Sequence, residues 1–242
     1  MAEWFAKLKA DFILNFIKED RWKLLVDGLG VTLTVTFFAL LIGVVIGIVL
    51  AAVRSTYDTN YERMHNPFAR AILKFFNALC RIYITVIRGT PMVVQLLILF
   101  FVVFVSSNNK VMVAALAFGF NSGAYVAEIF RGGIMSIDAG QMEAGRSLGF
   151  NYLQTMRYII LPQTIKNVLP ALGNEFIVLI KETSVAGYIA LQDLTKAGDI
   201  IRGRTFSAFM PLFAVALIYL AMVMIFTAFV NRLERRLRSS EH

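Results

Sequence analysis

The sequence predicts an all-α polytopic membrane protein with five transmembrane helices, and three observations predict it. Of its 242 residues, 58% are hydrophobic and only 17% are charged, whereas soluble domains carry about 25% charged residues. The mean hydropathy of +0.67 is unevenly spread, with apolar residues in long runs and charges in the gaps, the pattern a bilayer imposes. The clearest run, Gly28 to Val53, holds no charge over about 39 Å of helix, more than the roughly 30 Å hydrocarbon core. An ordinary soluble domain is excluded.

The elements follow in order. Residues 1–27 are too interrupted by charge for a cleaved leader. Trp4, Phe5, Leu8, Phe12, Phe16 and Trp22 recur near helical spacing among Lys7, Lys9, Asp11, Lys18 and Glu19, which predicts an amphipathic helix lying in the headgroup layer. The transmembrane domain is then expected over 28–231. Within the first span Gly43 and Gly47 stand four apart, a spacing that lets helix backbones approach closely. Arg54 to Arg70 reads as a loop. The mostly apolar stretch from Ala71 to Ser106 would be about 54 Å long as one helix, so it must break. The break is expected at Arg88-Gly89-Thr90-Pro91, with Thr90 as N-cap and Pro91 as the first helical residue.

Val111 to Ala127 supplies the third span, ending at Glu128 and Arg131. Residues 132–163 are too polar and too punctuated to cross and form the longest loop. The fourth span, about Ile165 to Ile180, contains Pro170 and Glu175, both tolerable in a membrane helix that packs against others. Thr205 to Val230 is the last, followed by Arg232, Arg235, Arg236 and Arg238 in a basic tail over 232–242. Five spans put the termini on opposite sides, and the positive charges after the last span favour a cytoplasmic C-terminus and an extracytoplasmic N-terminus.

The net charge of +8 suits loops facing an anionic leaflet; no basic stripe interleaved with stacking aromatics points to nucleic acid. The single cysteine, Cys80, excludes an internal disulfide, and the isolated His65 and His242 make no metal site. No cofactor is expected. Neither a phosphate-binding loop, nor a zinc-protease motif, nor a nucleophile elbow is present, so no catalytic residue is assigned and the chain is not expected to be an enzyme.

The most specific signal lies in the long loop. Glu143-Ala144-Gly145 is followed by three residues, Gly149, nine residues, Ile159, one residue, and Leu161-Pro162. This resembles the EAA coupling loop of ABC importer permeases, with Gly145 in place of the second Ala; that exchange keeps a small residue and bears mainly on local helix stability. The resemblance extends through Ser122 to Glu128, Arg131 to Gly133, Gly140-Gln141, the Arg88 to Pro91 break, and Asn174 to Ser184. Together these cover about Arg81 to Ser184 and are similar to the subfamily that imports polar amino acids of the histidine, glutamine and arginine type.

Membership would imply a permease subunit of the bacterial inner membrane. Its implied partners are separate ATP-binding cassette subunits, a second permease copy or similar chain, an extracytoplasmic substrate-binding protein, and a polar amino acid. A short helix beginning near Gln141 would offer Glu143, Ala144, Gly145 and Arg146 to a groove on the ATPase. Gly149 would turn the chain and Pro162, after Leu161, would end the excursion.

For the substrate path, Glu175 would lie near the midplane, where an ionisable group is a functional candidate; it would receive an α-ammonium, or alternatively pair with Arg88. The N-terminus of the helix after Pro91, with Arg88, Thr90 and Gln95, would favour a carboxylate, and Asn174 would stand beside Glu175. Asn174, Lys181, Glu182 and Ser184 are expected to gate the outer mouth, or to dock a binding protein along with Asp193 and Asp199, or merely to form an exposed polar connection. The rival reading is a membrane scaffold or receptor that binds an ATPase without moving solute.

Overall fold

Long apolar runs without helix breakers leave the backbone only its own hydrogen bonds inside a membrane, and helices provide them. The computed structural model describes residues 1–238, and among these no strand occurs. The first element, α1, spans Ala2–Phe12. A π turn, Ile13–Ile17, and a short 3-10 turn, Lys18–Asp20, lead on to α2, Trp22–Asn60. Then come α3, Pro67–Gly89, α4, Met92–Ile98, extended by a π turn to Val103, and α5, Lys110–Met135. The polar loop folds as α6, Ala139–Ser147, and α7, Tyr152–Thr155. The chain closes with α8, Leu161–Glu182, a 3-10 turn over Thr183–Ile189, α9, Leu194–Thr205, and α10, Phe209–Arg238.

Three described helices are long and apolar enough to cross a membrane, α2, α5 and α10; a fourth span results if α3 and the α4 segment count as one broken crossing. The fourth expected span corresponds to α8, a 22-residue helix that keeps Lys166, Asn174, Glu175 and Lys181. Most of the basic tail expected from residue 232 continues α10 up to Arg238; His242 lies outside the described residues.

The described residues form two compact units. One gathers residues 1–39, 91–118 and 177–226. In it the buried Asn15 accepts a hydrogen bond from Thr205 Oγ1 at 2.8 Å, tying the end of the N-terminal segment to the end of α9. Gly28 and Thr32 meet the start of α9: the Leu194 N–H donates to Thr32 Oγ1 at 3.1 Å, and a Cβ on Gly28 would stand 2.7 Å from the Asp193 carbonyl oxygen. The exposed aromatics of α1, Trp4, Phe5 and Phe12, suit an interfacial helix.

The second unit gathers residues 40–90, 119–176 and 227–242. Here Gly43 and Gly47 do what their spacing predicts. A Cβ on Gly43 would lie 2.9 Å from Ser122 Cβ, and one on Gly47 would collide with Val126, so α2 and α5 pack at backbone contact. Ala51, Val126, Phe130 and Val168 join α2, α5 and α8 in one apolar cluster.

Four sequence expectations are corrected. Arg54 to Arg70 is mainly helix, because α2 runs to Asn60 and α3 begins at Pro67 under an Asn66 cap that accepts the Phe68 N–H at 2.9 Å. Charge does not break α2 there, since Arg54 and Asp58 are met by Glu128 and Arg131 of α5. The Arg88 to Pro91 break exists, but Pro91 itself flanks α4 and the Thr90 hydroxyl turns back to the Val86 carbonyl at 2.9 Å. Residues 132–163 are helical over most of their length. Pro162 does not end the excursion: helix runs through it from α7, and a π turn at Met156–Ile160 sits where the missing proline N–H disturbs the ladder.

Candidate functional site

The residues of the polar loop build a capped helical hairpin. Asp138 accepts the Gly140 N–H at 2.7 Å and opens α6. At its other end Gly149, at φ +86°, takes the left-handed conformation that glycine permits. The Phe150 N–H reaches the Gly145 carbonyl at 3.1 Å and the Gly149 N–H reaches Arg146 at 2.9 Å, the two bonds of a Schellman closure. Asn151 and Gln154 then form a reciprocal capping box, both bonds 2.9 Å, that starts α7.

Gly145 is the hinge of this hairpin's packing. It is buried, and a Cβ there would lie 2.5 Å from Thr155 Cγ2 and 3.0 Å from Ile159 Cδ1. Thr155 is fully buried and its hydroxyl is bonded to the Asn151 carbonyl at 3.1 Å. The glycine is therefore a packing requirement, more than the small change of helix propensity its sequence context suggests. Glu143, Ala144, Arg146, Gly149, Leu161 and Pro162 are exposed. Sequence reasoning missed Leu148 and Leu153, each 75% exposed, which flank the turn and give the hairpin an apolar tip; their position beside Gly149 was the available signal.

The interior candidates separate. Glu175 of α8 is 9% exposed and accepts a hydrogen bond from Ser122 Oγ of α5 at 2.7 Å. The alternative ion pair with Arg88 is not formed, because the Arg88 guanidinium sits over the Tyr125 ring, 5.2 Å from its centroid. Asn174, the neighbour in sequence, is exposed and turns to another side of α8, lining a cavity of about 450 Å³ with Pro170, Lys166 and Glu234. Gln95 is buried on α4, in the other compact unit, where α4 packs on the 183–189 turn.

Asp193 is not a docking residue. At 1% exposure it caps α9, accepting the Thr195 and Lys196 N–H groups at 3.1 Å each. Burial pushes its carboxyl above the ordinary aspartate range, and the accepted hydrogen bonds only partly oppose this. Asp199 is half-buried, with its carboxyl held low by hydrogen bonds from Lys196 at 2.8 Å and Arg202 at 2.5 Å.

A network that the sequence did not single out joins α2 to α5. Arg54 pairs with Glu128, which also accepts from Arg131 at 3.1 Å, and Arg131 reaches Asp58 at 3.4 Å. The signal was present in the one-turn spacings 54/58 and 128/131 at the ends of two apolar runs.

Residues 67–239 match the family described as "Binding-protein-dependent transport system inner membrane component". The chain belongs to this family. It is a multi-pass protein of the inner membrane, the membrane component of an ABC importer, and such a component works with ATPase subunits, a substrate-binding protein and a permease partner. The glutamine transport system permease protein GlnP of Escherichia coli strain K12 is 39% identical over 166 residues, which are 67% of this chain and 76% of that one. A crystal structure of an amino acid ABC transporter with histidines superposes at a TM-score of 0.78 with 39% identity, covering 91% of this permease and 98% of that chain. The inward-facing methionine ABC transporter MetNI superposes at 0.72 over 89% of this chain and 97% of that one; at 21% identity this likeness concerns the fold.

Proposed function

We propose that the permease forms the translocation path of an ATP-driven importer of polar amino acids and takes its power stroke through the α6–α7 hairpin. The observation that carries the reading is the hairpin itself. Two capped helices, locked together by Gly145 against Thr155, present Glu143, Arg146, Leu148 and Leu153 to solvent. A rigid element with a charged flank and an apolar tip suits a groove on a separate ATPase subunit. ATP-driven closure of that subunit moves the hairpin as one body, and differential binding of two conformations supplies the free energy.

In this reading α8 is the fourth of five spans, which puts the termini on opposite sides, and the arginines after the last span support a cytoplasmic C-terminus. In the path, Glu175 receives the substrate ammonium by exchanging its Ser122 bond, while Arg88, Thr90, Gln95 and Asn174 are the remaining candidates for its polar groups. Glutamine, carried by the Escherichia coli relative, fits this class. The test is Glu143→Lys in vesicles holding the reconstituted transporter with ATP inside. ATP hydrolysis without substrate uptake is expected, with the assembly intact; normal uptake removes the coupling role.

A further inference from the structure

The side chains of Arg54, Arg81, Ile84, Thr85, Arg88 and Glu128 line a cavity of about 320 Å³ within the second compact unit. Its charge is unbalanced. The one carboxylate, Glu128, is already shared between Arg54 and Arg131, the latter outside the cavity lining. Arg54 is 12% exposed, and its Nε is buried with no hydrogen-bond partner among the described residues. Arg88 rests on the Tyr125 ring, and Arg81 has no ion-pair partner among the described residues. Three guanidinium groups thus line one open pocket, with Arg54 at its floor and Arg81 and Arg88 exposed at its mouth.

Like charges lining one pocket repel, and arginines in membrane segments face water-filled cavities or partners. The guanidinium fork matches carboxylate and phosphate oxygens two at a time. The volume lies at the lower end of the range for small-molecule sites, enough for one compact anionic group. Thr85 adds a hydroxyl to the same wall.

We propose that this cavity is an oxyanion site in which Arg54, Arg81 and Arg88 hold one carboxylate or phosphate group. Two sources share that chemistry: a small anionic solute, and the headgroup of an anionic lipid, which basic pockets between membrane helices also accept. The site shares Arg88 with the proposed substrate path but does not rest on Glu175, because an anion binds there whether or not solute is moved.

The experiment uses the full chain, purified in a neutral maltoside detergent with the subunits that accompany it. Retained phosphatidylglycerol is measured by mass spectrometry of the lipid extract, and binding of radiolabelled inorganic phosphate and L-glutamate by equilibrium dialysis. A lipid occupant leaves about one phosphatidylglycerol per chain, and phosphate binds only after detergent exchange removes it. A solute occupant leaves no lipid and gives saturable binding directly. In either case Arg81→Gln weakens occupancy by about tenfold or more, the effect of losing a charge-assisted bidentate contact. Thr85→Phe fills the cavity, keeps every charge, and abolishes occupancy. Arg157→Gln, an exposed arginine elsewhere, changes nothing. Equal occupancy in wild type and Arg81→Gln, or an equal loss in Arg157→Gln, overturns the site. So does the absence of both retained lipid and saturable phosphate or glutamate binding.

Discussion

The α6–α7 hairpin and the Ser122–Glu175 pair are specified in opposite ways. The bonds that cap the hairpin's helices each span a few residues: Asp138 to Gly140, Phe150 to Gly145, Asn151 to Gln154. The Ser122–Glu175 bond joins residues 53 apart and depends on α2 admitting α5 at Gly43. Local chemistry therefore fixes the surface proposed to meet the ATPase. Long-range packing fixes the interior proposed to meet substrate.

The largest expected effect tests the one place where the hairpin leaves local rules. Gly145→Ala puts a methyl group 2.5 Å from Thr155 Cγ2, and overpacking of this kind costs about 1–3 kcal/mol. ATP-driven uptake should fall sharply, and thermal stability in detergent should drop with it. Thr155→Ser removes the clashing methyl while keeping the hydroxyl that bonds Asn151, so the double variant should recover much of the loss. A double variant no better than Gly145→Ala alone assigns the requirement for glycine to the contacts that remain, Thr155 Oγ1 at 2.9 Å and Ile159 Cδ1 at 3.0 Å.

Next comes the interior pair. Ser122→Ala leaves the Glu175 carboxylate buried without its donor, at a cost of about 1–3 kcal/mol. Glu175→Gln keeps the shape and still accepts the Ser122 bond, so it should fold normally. Substrate-stimulated uptake by Glu175→Gln should nonetheless fall at least tenfold if the charge meets an ammonium group. Uptake equal to wild type assigns Glu175 to helix packing alone.

These regions also differ in how far the sequence disclosed them. Glu143 through Pro162 was legible because the motif's spacing, Gly149 and the flanking caps all act within one or two turns. The α2 and α5 spans were legible from uncharged runs, and Gly43 with Gly47 from their interval. What the sequence hid depended on partners far along the chain. Arg54 and Asp58 looked like loop residues until Glu128 and Arg131 supplied their counter-charges. Asp193 looked exposed until Gly28 and Thr32 closed over the start of α9. Asn174 and Glu175 looked like one site, but adjacent helical residues point about 100° apart, and burial took only the second.

A smaller effect tests the claim that local bonds hold the hairpin. Asn151→Ala deletes one arm of the capping box and should cost about 1 kcal/mol, lowering the unfolding midpoint by a few degrees with uptake mostly retained. Cys80 provides the readout, since it is the only cysteine and is buried; a thiol-reactive dye reports its exposure on heating. An unchanged midpoint would mean that tertiary contacts, not the cap, hold α7 in place.

The smallest effect separates a local bond from the cost of burying it. Asp193 caps α9 as a local motif predicts, yet its burial raises its carboxyl above the ordinary value of 3.8. A group whose folded pKa is raised binds its proton more tightly in the folded state. Its favourable contribution is therefore full below pH 3.8 and is lost as pH rises through the folded value. Asn caps a helix about as well as Asp and carries no charge to desolvate. Asp193→Asn should match wild type near pH 4 and become the more stable protein towards neutral pH, by no more than about 1 kcal/mol. Midpoints measured across that interval decide it. A wild-type advantage that grows with pH would mean that the ionised carboxylate's bonds to Thr195 and Lys196 outweigh its burial, and Asp193 would then behave like the exposed caps of the hairpin.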